Sequence, residues 1–426
     1  MIRKEKIGVI KLEPVFNFVE MFEQSIGIKE PWKVDRAEFH DSDRTVHVYI
    51  KANKTIKYAC PVCGKLSKRY DDEDEERVWR HADVMMYPCY IHCRRPRVNC
   101  PDHGVHVVDA PWARRGCRQT LLFEGYAMML VGNMTLNEAR KLLRISRTAL
   151  EHIVGYWVEK AVAEDDLSAV KQLSIDETSF KRGQSYVTIV GDPFRRRVIG
   201  VEEGRDIEAV EKFSEDFMVR GGDCLNVSHV SMDISKAYKS GCEICFPNAR
   251  VVYDRFHIKK MMLGGLDEVR REEQGRKFSK SRKAGRKLLM IPEKRMSEQQ
   301  KQAQALLCQE YPRTGRAFRM VQQLDDLYRC NNKKEAEVVF DKLTSWMMHS
   351  RLEPMKKVAK SLRRHKEAIL EYFINRITNA FAEALNSLIQ TAKRKARGFR
   401  TYKGYRTMIF LVVGKLQLSY PYPFRY

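Results

Sequence analysis

Hydrophobic and polar positions change rhythm several times along the chain. From His47, HVYIKANKTIKY alternates as a half-buried strand does, within a mixed segment that runs to residue 55. Between residues 117 and 162 apolar positions recur every three or four residues, with breaks near Asn133 and Ser146, which predicts consecutive helices. From Leu173 the period shortens again. LSIDETSF, SYVTIVGD and RRVIGVEEG read as strands separated by turn residues. A helical stretch follows from Glu208 to Met218, and the strands NVSHVSMD and ARVVYD then flank a helix from Ser235 to Cys245. Residues 256 to 372 read as almost wholly helical, and a last long helix covers about Asn375 to Lys395. No repeat at a fixed period is visible.

Three strands, helix, strand, helix, strand is the opening order of an RNase H-like domain, so the expected class is multidomain α/β with a mixed sheet. Composition agrees with a folded chain. Of 426 residues, 43% are hydrophobic and 10% aromatic, enough for a sizeable core. Charge adds a partner: 78 Lys and Arg against 55 Asp and Glu leave a net +23, which calls for a polyanion, nucleic acid first and an anionic membrane surface second. No apolar run approaches the ~18 residues of a membrane span, and the basic N-terminus has neither a long apolar core nor a small-residue cleavage site. Eleven cysteines, several in C-x-x-C pairs, suit a reducing compartment and metal binding better than a disulfide framework.

Cys60-Pro-Val-Cys63-Gly and Cys100-Pro-Asp-His103-Gly are two turns of the same shape. Ligands at i and i+3 followed by glycine converge on one ion, and two such turns make a closed tetrahedral site suited to one structural zinc. Cys89 and Cys93 lie between the turns and could replace Cys100 and His103, but no turn glycine follows them, and they fit core or sheet positions better. His81 reads as a structural histidine, and the acidic run Asp71 to Glu76 as a solvated loop. Farther on, Cys242 and Cys245 have half-site spacing without a second pair nearby, and read as helix packing.

MTLNEARKLLRISRTALEHIVGYWV resembles a helix-turn-helix. Leu136, Ala139, Leu142 and Leu143 give the first helix an apolar face; Ser146 caps a second whose buried residues are Leu150, Ile153, Val154 and Trp157. Arg144, Arg147 and Thr148 would face DNA.

Asp176 ends the first core strand and Asp233 ends the fourth. Those strands are neighbours in an RNase H-like sheet, so both carboxylates emerge at one edge. Two divalent ions need several hard oxygen ligands, and a third carboxylate from a helix would complete the set. Glu383 is the candidate. It lies on a polar stripe with Asn379, Asn386, Gln390, Lys393 and Arg397, opposite an apolar face of Ile377, Phe381, Ala384, Leu385, Leu388 and Ala392. Glu177, Glu367 and Glu371 are rivals. Asp254 lies near the same edge and suits pairing with Arg255 or capping the next helix. His257, at the strand-to-helix junction, could touch DNA or a metal, but better suits a hydrogen-bonded structural role.

These residues together resemble the DDE transposases of bacterial insertion sequences, in particular the ISL-three group. The resemblance runs from the Cys60 turn to about Arg406 and is carried by CPVCG, WRHAD, PRVNCPDHGV, APWAR, IDETSFKRGQSYVTIVGD, EGR, MDISKAY, PNARVVYDRFHIKK and ITNAFAEALNSLIQTAKRKARGFR. It implies an N-terminal segment (1–55), a zinc ribbon (56–112), a helix-turn-helix (113–165), an RNase H-like core (166–261), a helical insertion (262–369), and a final core helix with a tail (370–426). The implied triad is Asp176, Asp233 and Glu383, holding two Mg2+ or Mn2+ ions, and the implied zinc ligands are Cys60, Cys63, Cys100 and His103. Where that group usually has glycine after Thr-Asn, this chain has Ala380, which favours helix.

Only 57 residues separate Asp176 from Asp233, but 150 separate Asp233 from Glu383, which leaves room for an insertion. Its basic segment, with Arg270, Arg271, Arg276, Lys277, Lys280, Arg282, Lys283, Arg286 and Lys287, could lie along a transposon end; Lys393, Arg394, Lys395, Arg397 and Arg400 could hold phosphates. The expected activity is divalent-metal-dependent DNA cleavage and strand transfer at the element's terminal inverted repeats and target DNA. A homodimer or larger assembly on double-stranded DNA is implied, in the bacterial cytoplasm at the nucleoid and away from membranes. Two alternatives remain: a non-catalytic DNA-binding regulator, disfavoured because all three carboxylates are present, and a resolving nuclease without strand transfer.

Overall fold

The computed structural model describes residues 26–180, 185–275, 280–291, 295–376, 380–395 and 401–420, with positions 19, 23 and 399; at 280–284, 375, 380–383, 392, 394 and 395 it describes the backbone alone. The chain forms two units, one of residues 1–157 with 418–426 and one of residues 158–417. No described helix is long and apolar enough to cross a membrane.

The first unit opens with β1 (Trp32–His40) and β2 (Thr45–Ala52), followed by the short β3 (Tyr58–Ala59), β4 (Leu66–Ser67) and β5 (Arg69–Asp72). Next come β6 (Arg77–Val84), β7 (Tyr87–Cys93), β8 (Pro96–Cys100) and β9 (Gly104–Val107). β1, β2, β7 and β6 form one sheet in that order, with β2 and β7 parallel; β5, β8 and β9 form another. Segments far apart in sequence thus share a sheet, and Trp32, Trp79 and Trp112 meet edge to face in its core. Cys89 and Cys93 are buried on β7, and burial pushes both thiols up to about 12, which keeps them protonated.

The acidic run differs from the solvated loop expected. Asp71 and Asp72 end β5, and each acid whose partner is described meets a basic side chain: Asp71 meets Arg97, Asp72 meets Arg69, Glu73 pairs with Arg95 at 2.7 Å and Glu76 lies 2.8 Å from the His92 ring. Arg97, Arg95 and His92, from β8, the link before it and β7, are remote in sequence from their acids, whereas Arg69 reaches Asp72 from within β5.

Three helices follow: α1 (Leu121–Asn133), α2 (Leu136–Leu143) and α3 (Arg147–Ala163). Thr135 and Glu138 cap α2 reciprocally, and the Ser146 hydroxyl accepts from Ala149 N at 3.1 Å to start α3. Arg144, between them, is left-handed with φ 56°. Leu150, Ile153, Val154 and Trp157 are buried, but Leu142 is 56% exposed. Successive helical residues turn by ~100°, and with Ala139 and Leu143 inward Leu142 is carried out. Under the helices Glu124 is wholly buried. It accepts from the Arg114 guanidinium at 2.7 and 2.8 Å and from the Trp157 indole at 2.9 Å.

The second unit is built on β10 (Gln172–Ser179), β11 (Tyr186–Asp192), β12 (Arg197–Glu203), α4 (Ile207–Val219), β13 (His229–Met232), α5 (Lys236–Cys245) and β14 (Arg250–Tyr253). The sheet order is β12-β11-β10-β13-β14; the first three strands run antiparallel, and β13 and β14 run parallel to β10. This is the RNase H-like arrangement. Its strands are nearly continuous apolar runs because helices cover them. Gly200 permits that cover on β12, since a Cβ there would overlap the Phe213 ring of α4. Cys242 of α5 is buried, as expected for packing.

Helices α6 (Arg255–Gln274), α7 (Lys280–Met290), α8 (Glu298–Glu310), α9 (Pro312–Leu327), α10 (Lys333–Met348), α11 (Glu353–Arg364), α12 (Lys366–Leu370) and α13 (Tyr372–Asn375) come next. Their buried residues join those of the sheet in one hydrophobic cluster. Finally α14 (Ala380–Lys395) packs on β10, and α15 (Tyr402–Val413) on β12. The apolar side of α14 is rotated from the expected face: Leu385 and Ile389 are buried, whereas Leu388 is 52% exposed.

Candidate active site and metal centre

The parallel pairing of β10 with β13 sets Ile175 opposite Met232, so Asp176 and Asp233 each follow a paired residue and come side by side. Burial, and then the charge of Asp233, raises the Asp176 carboxyl to about 7. Asp176 accepts from Glu177 N at 2.7 Å and from the Asn386 amide of α14 at 2.6 Å. The polar stripe of α14 continues along β10. Gln390 donates to the Thr178 hydroxyl at 2.8 Å, and Lys393 Nζ to the Ser179 carbonyl at 2.5 Å. Glu383 lies on the same helix, but its side chain is outside the described residues.

Asp254 caps α6 by accepting from Phe256 N and also meets His257, one turn on. His257 Nδ1 lies 3.1 Å from Asp254 Oδ2 and 2.7 Å from Asp233 Oδ1. The close approach of these carboxylates, Asp233 foremost, raises the imidazole to about 10 and keeps it cationic. One N–H cannot serve both acceptors. Its direction satisfies Asp254, and Asp233 Oδ1 is left buried without a hydrogen-bond donor despite the short contact. Ligand atoms of Asp233, Asp254 and His257 all lie within 4.8 Å of one another. Crowded hard oxygens, one of them orphaned, fit a divalent cation.

The rival carboxylates are engaged elsewhere. Glu371 is buried against Arg250 at 3.2 Å, Glu367 meets Lys333 at 3.3 Å, and Glu177 faces Arg205 at 3.7 Å. Asn386 and the Asp254–His257 pair are what sequence reasoning underweighted. An amide one turn after a candidate acid, and D-x-x-H at a strand-to-helix junction, are signals present in the sequence.

In the first unit Cys60, Cys63, Cys100 and His103 present ligand atoms within 4.8 Å of one another. Gly64 and Gly104 follow the two turns with φ 73° and 75°, the left-handed backbone that glycine supplies at no steric cost. The Cys63 and Cys100 sulfurs are 3.7 Å apart, too far for a disulfide and close to the roughly 3.8 Å edge of a tetrahedron with 2.3 Å zinc–sulfur bonds. The donor set fits zinc.

The cations expected at DNA divide. Arg144 reaches the Met86 carbonyl at 3.3 Å and Asp83 at 3.5 Å; Arg147 pairs with Glu151 at 2.7 Å; Thr148 is exposed. Arg270 is buried on Asp267 and Gln274, which removes it from any external track. Arg286 and Lys287 are exposed, Arg286 lying 3.4 Å from Asp267. The side chains of Lys283 and Arg394, and residues Arg397 and Arg400 altogether, lie outside the described residues.

Asp176 lies within β10, which runs on to Ser179 because its pairing with β11 continues, rather than at the end of the strand as expected. A core of this topology, with two acids side by side on neighbouring strands, a Cys3His cluster and a helix-turn-helix before it, defines a class. A family model described as "Transposase", for the ISL3 DDE group, matches residues 173–409. The model for the zinc finger of the IS204, IS1001, IS1096 and IS1165 transposases matches 57–103, and that for the helix-turn-helix domain of transposase family ISL3 matches 108–158. The chain belongs to the ISL3 transposase family. Among its relatives, the transposase for insertion sequence element IS1557 of Mycobacterium tuberculosis is 24% identical over 415 residues, covering 90% of this chain and 93% of the relative. The transposase for insertion sequence element IS1001 of Bordetella parapertussis is 23% identical over 388 residues, covering 88% and 94%.

Proposed function

We propose that this transposase cleaves DNA at the ends of its own insertion sequence and joins the freed ends to target DNA, with Asp176, Asp233 and Glu383 as its metal-holding acids. The observation that carries the reading is the hydrogen bond from Asn386 to Asp176, which ties the helix bearing Glu383 to the strand pair bearing both aspartates. The two divalent ions, Mg2+ or Mn2+, when bound, supply charge neutralisation and activation for in-line attack on a phosphodiester. Water attacks the phosphorus at the element's end and the P–O3′ bond breaks; the 3′-OH released then attacks a target phosphodiester, whose own P–O3′ bond breaks to leave a target 3′-OH. Asn386 orients Asp176, while Asp254 and His257 hold Asp233 and α6 in place. The exposed cations on α7 and those following α14 bind phosphates.

The division into ribbon (56–112), helix-turn-helix (113–165), split core and helical insertion (262–369) is part of this proposal. So is one structural zinc on Cys60, Cys63, Cys100 and His103, with four protein ligands and no open position for chemistry. DNA paired at two ends calls for at least two copies of the chain, acting where the chromosome is. The test is incubation of the purified protein with DNA flanking its own gene and Mg2+. Nicks at the element boundary that Asp233→Asn abolishes support the reading; unaltered cleavage by that variant removes Asp233 from it.

A further inference from the structure

The β6–β7 hairpin closes on two residues, Met85 and Met86, with Val84 paired to Tyr87. Both methionines have positive φ, 49° and 76°. A two-residue turn of this form favours Asn-Gly, and methionine is poorly suited to it. The side chains are 74% and 81% exposed. Neither local folding nor packing explains them, and strained backbone of this kind persists only where its surroundings hold it.

The surroundings do hold it. Buried Arg80 stacks over Phe123 of α1 and grips Asp83 on the hairpin. Asp83 in turn meets Arg144, whose guanidinium also donates to the Met86 carbonyl. The tip is thereby tied to the turn between α2 and α3, beside the start of the second helix of the helix-turn-helix. At the same sheet end Phe39, itself 46% exposed, packs edge to face on Tyr87, and Arg44 donates to the Tyr87 hydroxyl at 2.8 Å. Asp43 of the neighbouring turn is engaged with the Thr45 hydroxyl.

We propose that Met85 and Met86 form an apolar wedge that enters the minor groove of duplex DNA and unstacks a base step next to the major-groove site of α3. This rests on the DNA-binding reading of the helix-turn-helix. The second helix of such a motif occupies the major groove, so a rigid tip fixed beside it meets the adjacent minor groove. Uncharged, deformable methionine is among the side chains that separate base steps and kink the duplex. Arg44, on the Tyr87 hydroxyl, and Arg144, on the Met86 carbonyl, lie beside the tip and match the phosphates that border the groove.

The test uses the full chain, duplex fragments from both flanks of its gene, and the double variant Met85→Asn with Met86→Gly. Because Asn-Gly suits the turn, the variant is expected to melt no lower than the wild type. The wild type should bend its fragment in a circular-permutation assay and raise 2-aminopurine fluorescence at one step. The variant should lose both signals and bind about tenfold more weakly. Equal bending and fluorescence from both proteins overturns the wedge while leaving DNA binding intact. A wild type that binds neither flank overturns the wedge together with the DNA-binding reading. A wild type that self-associates through residues 85 and 86, dissociating in the variant, overturns the wedge in favour of a contact between copies.

Discussion

At the scale of single residues the acidic cluster is the most informative feature. Asp176 is raised to about 7, well above an unfolded aspartate. Between ~4 and ~7 the folded, metal-free chain therefore keeps a proton that the unfolded chain has released, so stability falls as pH rises through that window. Asparagine at 176 is neutral throughout. Asp176→Asn should stabilise the metal-free protein by ~2–4 kcal/mol at about pH 8 and by little at about pH 4.5, measured by thermal melting. Equal effects at both values would contradict the assignment. Mg2+ should raise the wild-type melting temperature and leave the variant's unchanged. Much of this was legible in the sequence, because both aspartates are at the ends of apolar runs whose order identifies neighbouring strands. The contact of His257 with Asp233 was not, since it depends on where α6 begins relative to β13.

At the scale of elements, buried polar contacts decide which helices hold. Glu124 satisfies Arg114 and Trp157 at once in an apolar setting. Glu124→Ala strands the half-buried Arg114 guanidinium and the buried Trp157 indole N–H and should cost about 2–3 kcal/mol in denaturant unfolding; a loss below 1 kcal/mol would show that the contact is dispensable. On the sheet, Gly200→Val should drive α4 off β12 and lower the melting temperature, or abolish soluble expression. Periodicity gave the helix and strand positions well. It misjudged rotation on α2 and α14, where Leu142 and Leu388 face out, because a stripe of apolar residues does not say which of two adjacent rows meets a neighbour. It also missed that β1 and β2 join β7 in one sheet, a pairing set by long-range contacts that no local pattern records.

For the whole molecule, a net +23 and two ligand-bearing turns 40 residues apart connect fold to partner. One zinc per chain is expected by elemental analysis. Its removal by a chelator, or Cys63→Ser, should unfold the ribbon and reduce DNA binding, with the RNase H-like core keeping its far-ultraviolet signature. Retention of binding in zinc-free protein would contradict a structural role. DNA affinity should fall linearly in log–log terms with salt, by a slope near −0.9 per phosphate contacted. The most direct measurement is cleavage: wild type, Asp176→Asn, Asp233→Asn and Glu383→Gln, each incubated with Mg2+ and the DNA spanning both ends of the element. Strand breaks at the boundary from the wild type, and none from the three correctly folded variants, are the predicted result. Undiminished breaks from any one of the variants would contradict the three-carboxylate site.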